Sequence, residues 1–138
     1  MRMKVLLVLA VTLLMLTACR TEPSEQPLAS DAAFKALTGF FDAQKAGKHH
    51  DMLNLLTPRQ RGLVTLPGAQ FAAGSDLKIG SIAEGNPTNL SAQRYLDEGY
   101  SEVRFFSVDL EDRSGRKTWT YVLVKDASGN WLVADWGV

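Results

Sequence analysis

The chain contains a single cysteine, Cys19, among its 138 residues, so it has no pair that could form an internal disulfide. It also lacks an excess of charge, because 15 basic residues balance 15 acidic ones. A neutral domain has no general attraction for phosphates, so nucleic-acid binding is not expected. No glycine-rich phosphate loop, nucleophile elbow or spaced metal-ligand set occurs, and we therefore expect no cofactor and no bound metal.

No apolar run in the chain is long enough to cross a membrane. The longest, Val5–Leu16, falls well short of the roughly 20 apolar residues that a spanning helix needs. Arg2 and Lys4 precede this run, and the small residues Thr17 and Ala18 follow it. A charged start, an apolar middle and a small-residue end are typical of a secretory signal.

The segment Leu16-Thr17-Ala18-Cys19 resembles the lipobox of bacterial lipoproteins. The resemblance implies that residues 1–18 are a signal peptide removed before Cys19. The cysteine sulfur would then carry a diacylglycerol, and the new amino terminus would be acylated, for example with palmitate. Arg20 stands where an aspartate retains lipoproteins in the inner membrane. The resemblance therefore implies the cell envelope and, in a Gram-negative cell, the periplasmic side of the outer membrane.

Two other interpretations of the leader remain open, a transmembrane helix and an ordinary secretory signal. The apolar run is short for the first, and the second would export Cys19 as a lone thiol into an oxidising compartment. Residues 19–29 then form a polar tether with two prolines, which would reach about 17–20 Å. Residues 30–138 are enough for one domain.

The strongest helical pattern begins directly after the tether. Phe34, Leu37 and Phe41 recur at helical spacing and form an apolar stripe. Ser30 is suitably placed to cap this helix, and Gly47 is suitably placed to end it. The three phenylalanines of this segment, with Phe40 included, predict that the helix is the main hydrophobic layer of the fold.

Two shorter helices are predicted next. Residues 51–56 form the first of them, and Thr57-Pro58 begins the second, with Thr57 as the cap. Gln60 is predicted to reach back to the cap, as in a capping box. Residues 88–94 show no clear pattern and are predicted to be a loop.

The second half of the chain predicts a sheet. Short turns at residues 114–115 and 128–130 join consecutive strands, which must therefore be antiparallel. The predicted strands cover residues 77–84, 100–112, 116–126 and 131–136. Helices followed by an antiparallel meander indicate an α+β fold with about four strands and the helices on one sheet face.

The predicted third strand is apolar on both sides. Trp119 and Tyr121 alternate with Val122 and Val124, and no charge interrupts either side before Lys125. A sheet with two apolar faces normally covers something on each of them. One face is expected to pack on the helices, and the other is open for a pocket, a partner or a second subunit.

The closing segment, residues 129–136 (GNWLVADW), together with the order of elements, resembles the nuclear-transport-factor-two-like superfamily. The resemblance implies a curved sheet wrapped around a long helix into a cone, over residues 30–138. Members of the superfamily include isomerases, dehydratases and noncatalytic binding domains. Fold alone does not choose among these functions.

Three residues are the candidate ligand-binding set: Asp109, Tyr121 and Trp136. Superfamily isomerases and dehydratases place an acid or histidine with a tyrosine inside the cone, which would suit Asp109 or Asp135 beside Tyr121. Tryptophans at the end of the sheet could line an apolar cavity or simply pack in the core. Arg104 could orient a ligand carboxylate.

His49-His50-Asp51 holds both histidines of the chain. Adjacent side chains diverge on a helix or a strand, whereas zinc ligands are usually two to four residues apart. The segment is therefore predicted to be a solvated helix start with Asp51 as its cap.

The sequence favours a lipid-anchored envelope domain, noncatalytic, that binds a protein partner or a small apolar ligand through its open sheet face. One alternative is a small-molecule isomerase or dehydratase with an acid–base pair in the cone. Another is self-association, in which two copies form a homodimer through the exposed sheet.

Overall fold

A computed structural model describes residues 30–66, 76–85 and 89–137. The predicted signal peptide, residues 1–18, and the predicted tether, residues 19–29, lie outside the described residues, and Cys19 lies there with them.

The fold is α+β, as predicted. One antiparallel sheet has its four strands in chain order, β1-β2-β3-β4, with a helix between the first two strands. The elements are α1 (Ala32–Lys45), α2 (His49–Asn54), α3 (Pro58–Val64), β1 (Lys78–Gly85), α4 (Asn89–Asp97), β2 (Glu102–Asp112), β3 (Gly115–Lys125) and β4 (Trp131–Trp136). All four strands lie within two residues of their predicted bounds.

Helix α1 begins one residue later than predicted. Asp31, not Ser30, is the N-cap, and its carboxylate accepts a hydrogen bond from the amide of Phe34 at 3.0 Å. An aspartate at this position satisfies an otherwise unpaired amide and also complements the helix dipole. Gly47 has φ +67°, a conformation that suits glycine just beyond a helix end, so the predicted stop is confirmed.

The main core lies between α1 and the sheet. Phe40 and Phe41 are almost fully buried, and the Phe41 ring meets the Tyr121 ring edge-on with 5.0 Å between centroids. Phe106 on β2 and Leu123 on β3 are fully buried in the same cluster. The predicted aromatic layer is therefore confirmed, and it packs against the sheet face that we call the first face.

Helices α2 and α3 bring the chain to the edge of β4. The Thr57 hydroxyl accepts a hydrogen bond from the amide of Gln60, so the predicted cap is confirmed. Gln60 does not reach back to it, because its side-chain amide donates to Asp135 instead, at 3.3 Å. The Thr57 amide donates to the carbonyl of Val133, which pairs this segment with part of the free edge of β4.

The prediction of a loop over residues 88–94 is wrong, because α4 covers Asn89–Asp97. The helix lies on the second face, opposite α1, so the prediction that the helices lie on one sheet face is wrong, and helices occupy both faces. Tyr95 of α4 is buried and packs with Phe105, Val122 and Val124. The apolar residues of this segment are Leu90, Ala92, Tyr95 and Leu96, and they are mixed with polar ones over only nine residues, which is too weak a signal to predict a helix from periodicity alone.

Two register shifts change the side-chain alternation. The first lies in β1 between Ile79 and Ile82, and the second lies opposite Val122 and Leu123 of β3. An extra residue in one strand turns the following side chains to the other face. In β1, this shift allows Ile79 and Ile82 both to pack on the main core while Ser81 lies on the second face.

Candidate functional site

The second face is divided into two parts. One part is apolar and is covered by α4. The other, nearer the β2–β3 hairpin, is a shallow open groove of about 600 Å³. We call it the polar groove and define it by the side chains of Lys78, Ser81, Asp109, Glu111, Arg116 and Thr118.

Asp109 lies in the middle of the polar groove. One carboxylate oxygen accepts a hydrogen bond from the Ser81 hydroxyl at 2.5 Å, and the other accepts one from Thr118 at 2.6 Å. These two hydrogen bonds hold the pKa of Asp109 below its usual value, and the one from Ser81 has the larger effect. Gly80 permits the close approach of the strands, because a Cβ there would lie 3.3 Å from the Asp109 Cβ.

Glu111 lies one step further along the same face, about 7 Å away in an extended strand. Its carboxylate accepts a hydrogen bond from Arg116 at 3.0 Å and another from Lys78 at 3.4 Å. These two hydrogen bonds lower the pKa of Glu111, and the one from Arg116 has the larger effect. One carboxylate thus faces two cations, so this end of the groove carries a positive excess while the Asp109 end is negative.

Tyr121 and Trp136 belong to the first face instead. The two rings are stacked with 6.4 Å between centroids, and Tyr121 is 4% exposed. Burial raises the pKa of Tyr121 far above its usual value, so the phenol stays neutral. Both rings also lie against Phe40 at about the same distance. Of the three predicted ligand-binding residues, only Asp109 lies in the groove.

The acid–base pair suggested by the superfamily resemblance does not form between the residues first considered. Asp109 and Tyr121 occupy opposite faces of the sheet, since Asp109 contacts Thr118 while Tyr121 packs on Phe41. Asp135 is also separated from Tyr121 by the sheet. Its backbone pairs with Val122, whose side chain lies in the cluster beneath α4.

Asp135 is instead the centre of a polar cluster where α3, α4 and β4 meet. Its carboxylate accepts hydrogen bonds from the Tyr95 hydroxyl and from Arg94, each at 3.4 Å, besides the one from Gln60. Burial raises the pKa of Tyr95 above its usual value, and the negative charge of Asp135 raises it further. We call these four side chains the Asp135 cluster. Sequence reasoning missed it because its members come from three separate segments.

Arg104 has a structural role at the start of the domain. Its guanidinium donates two hydrogen bonds to Glu84, at 2.7 and 2.8 Å, and forms an ion pair with the α1 cap Asp31 at 2.5 Å. It also lies over the Phe106 ring, with 5.1 Å to the centroid. The sequence suggested that Arg104 could orient a ligand carboxylate. In the structure its guanidinium instead links α1, β1 and β2.

The two histidines lie at the exposed start of α2, as predicted. Lys48, not Asp51, is the N-cap residue, and Asp51 lies within the first turn. His49, His50 and Asp51 are all exposed. Across the residues that the structure describes, no group of three or more histidine, cysteine or acidic side chains could hold a metal ion.

Within the described residues, no helix combines the length and apolar character that membrane crossing requires. No family model matches the chain, and no curated protein or solved structure matches it either.

Proposed function

We propose that this protein is a lipid-anchored, noncatalytic domain of the cell envelope that binds a protein partner through the polar groove. The lipobox-like segment ending at Cys19 supports the anchor. The order of elements and the closing strand support a nuclear-transport-factor-two-like cone for residues 30–138. In a Gram-negative cell, the resemblance to lipoproteins favours the periplasmic side of the outer membrane.

One observation carries the proposal: the domain begins at one end of the sheet and the groove lies at the other. Asp31, the N-cap residue of α1, pairs with Arg104 near the beginning of β2. Glu111 lies seven residues further along the strand, about 24 Å away. With the anchor at Cys19 and a short tether, the groove would face away from the bilayer.

The lining of the groove favours a protein over a small apolar ligand. Its side chains are hydroxyls and charges on an open surface, whereas apolar ligands are held in enclosed aromatic or aliphatic pockets. The aromatic residues that could have lined such a pocket are packed against one another in the core. A carboxylate whose pKa is lowered is also a weak general base near neutral pH, which favours a binding role for Asp109.

The anchor is tested by Cys19→Ser. We expect the variant to lose acylation and to fractionate as soluble protein or to remain unprocessed with its leader attached. Intact-mass analysis of the native protein should show the lipid on Cys19. A processed Cys19→Ser protein that still fractionates with membranes would contradict the anchor.

The groove is tested by site-specific photo-crosslinking in intact envelopes. A photoreactive residue at Thr118 should give a discrete protein adduct, whereas one at the exposed Lys35 of α1 should not. Adding Arg116→Glu to the Thr118 probe should abolish the adduct, because it reverses the charge beside Glu111. Equal adducts from both positions, or none from Thr118, would contradict a partner at the groove.

A further inference from the structure

We propose that the segment of the partner bound in the polar groove is extended and carries an arginine and an acidic residue two positions apart. The arginine binds at Asp109, and the acidic residue binds between Lys78 and Arg116. The inference rests on the proposed function, because it names the chemistry of the partner at the same groove.

The floor of the groove consists of two rows of side chains, each crossing β1, β2 and β3. Asp109 and Glu111 are two residues apart on β2, so the rows are about 7 Å apart. The register places Thr118 opposite Asp109, and it places both Lys78 and Arg116 opposite Glu111. The first row is Ser81, Asp109 and Thr118, and the second row is Lys78, Glu111 and Arg116.

The first row offers hydrogen-bond acceptors. The hydroxyl protons of Ser81 and Thr118 are both donated to the Asp109 carboxylate, at 2.5 and 2.6 Å. A hydroxyl has one proton and two lone pairs, and a carboxylate has about four acceptor positions, so lone pairs remain on all three side chains. All three residues are exposed, so these acceptors face water beside a negative charge. A planar guanidinium, with its five N–H groups, matches such a row of acceptors.

The second row offers donors. Glu111 accepts from Arg116 at 3.0 Å and from Lys78 at 3.4 Å. The side chains of Arg116 and Lys78 are 88% and 74% exposed. A guanidinium has five N–H groups and an ammonium has three, which is more than the two oxygens of Glu111 can engage. This row has one more positive than negative charge and therefore favours a carboxylate.

The spacing of the rows selects the conformation of the occupant. In an extended chain, residues i and i+2 point to the same side and lie about 7 Å apart, so an arginine and an acidic residue at these positions meet both rows at once. The same two residues at i and i+1 point to opposite sides. The four charges of the groove balance, so binding depends on the placement of charge and not on its total, which favours a segment with one charge of each sign.

Two synthetic peptides of equal composition test the spacing, acetyl-Gly-Ser-Arg-Thr-Glu-Gly-Ser-amide and acetyl-Gly-Ser-Arg-Glu-Thr-Gly-Ser-amide. Only the first places its two charges two residues apart. We titrate each into the full-length mature protein in detergent micelles and follow amide signals by nuclear magnetic resonance. The signals of residues 109–111 and 116–118 should shift, with an affinity about fivefold higher for the first peptide. Equal affinities, or no shift in these residues, would overturn the inference.

A variant of the first row tests which charge binds there. Asp109→Asn should weaken binding of the first peptide about fivefold, and replacing the peptide's arginine with glutamine should do the same to the native protein. The two losses should not add when both changes are combined, because they remove one ion pair. Asp42→Asn is the matched control, since Asp42 is exposed on α1 across the sheet, and it should leave the affinity unchanged. Additive losses, or an equal loss in the control, would contradict the pairing of arginine with Asp109.

Cross-linking in intact envelopes separates this inference from the proposed groove. A photoreactive residue at Thr118 leaves Ser81, Asp109 and the second row in place. Sequencing of the cross-linked partner segment by mass spectrometry should show an arginine and an acidic residue two positions apart. A segment without this pattern, or an adduct with a second copy of this chain, would overturn the inference and leave the groove as a binding surface. No adduct at all would contradict the groove itself.

Discussion

The two faces of the sheet differ in how their apolar residues are covered. On the first face, a 14-residue helix with two fully buried phenylalanines covers the strands along the main core. On the second face, the nine-residue α4 covers one part, and the polar groove leaves the other part open. Burial of strand residues is equally complete under both helices, so burial alone does not tell which face carries the stability.

The charged residues of the two faces also have different roles. On the first face, Arg104 lies between Asp31 and Glu84 and joins the start of α1 to two strands. On the second face, Asp109 is held by hydroxyl groups of neighbouring strands and remains open to water. The first arrangement fixes a helix, whereas the second leaves a carboxylate available at the surface.

The largest expected effect is the loss of stability caused by truncating Leu123, a residue of β3 on the first face. Leu123→Ala should cost about 3 kcal/mol of the free energy of unfolding, because it leaves a cavity in the main core that α1 cannot fill. Urea denaturation with an unchanged m-value would measure it. Leu63→Ala, at a residue that is 49% exposed, should cost less than about 0.5 kcal/mol.

The next effect concerns the adjacent residue on the other face. Val124→Ala should cost about 1–2 kcal/mol, which is less than Leu123→Ala because fewer carbons are removed and α4 can settle onto the gap. The same denaturation series measures it. A cost equal to that of Leu123→Ala would show that α4 is as firmly packed as α1, and the contrast between the faces would disappear.

A smaller effect is expected at the cap of α1. Asp31→Ala should cost about 1 kcal/mol, since both the cap and the Arg104 pair are lost, whereas Asp31→Asn keeps a capping oxygen and should cost less. Burial tends to raise the pKa of Asp31, but the hydrogen bonds from Arg104 and Phe34 outweigh it, so the pKa is lowered.

The lowered pKa of Asp31 sets the sign of its pH dependence. A carboxyl whose pKa is lower in the folded state contributes stability above its unfolded pKa, about 3.9, and loses it as the pH falls through the folded value. Denaturation at pH 7 and at pH 3 should therefore show a smaller acid loss for Asp31→Asn than for the native protein. Equal losses would show that the ion pair with Arg104 contributes nothing.

The smallest effect on stability is expected in the polar groove. Ser81→Ala should raise the pKa of Asp109 toward its usual value, because the first of its two hydroxyl donors is lost, and Thr118→Val should do the same to a lesser degree. Carboxyl titration by nuclear magnetic resonance measures both shifts. Each change should alter the free energy of unfolding by less than about 0.5 kcal/mol. An unchanged Asp109 pKa in Ser81→Ala would contradict the assignment of that hydroxyl.

Elements with strong local patterns were predictable. The phenylalanine spacing of α1, the stop at Gly47 and the short turns of the meander predicted that helix and all four strands close to their observed bounds. The cap at Thr57 was equally local. Helix α4 was not predictable, because Tyr95 and Ala92 gain their helical role only by packing on strands that follow in the chain.

The candidate site was predictable only in part. Phe105, Ser107 and Asp109 alternate along β2, so their place on one face of the sheet follows from the two-residue period of an extended strand. The hydrogen bond from Ser81 to Asp109 depends on the register shift in β1. This shift arises from the pairing of β1 with β2, so the sequence of β1 alone does not reveal it. Asp135 was a candidate acid beside Tyr121, whereas in the structure its carboxylate accepts hydrogen bonds from Arg94 and Tyr95 of α4 and from Gln60 of α3.

By itself, the amino-acid sequence determined the class of fold and the order of its strands and of its first three helices, because periodicity, caps and turns act over a few neighbouring residues. It also carries the lipobox-like segment on which the proposed anchor depends. Only the tertiary structure decided which face each carboxylate occupies, where the second face is covered and where it is open. These properties depend on strand register and on contacts between distant segments, which a local pattern cannot encode.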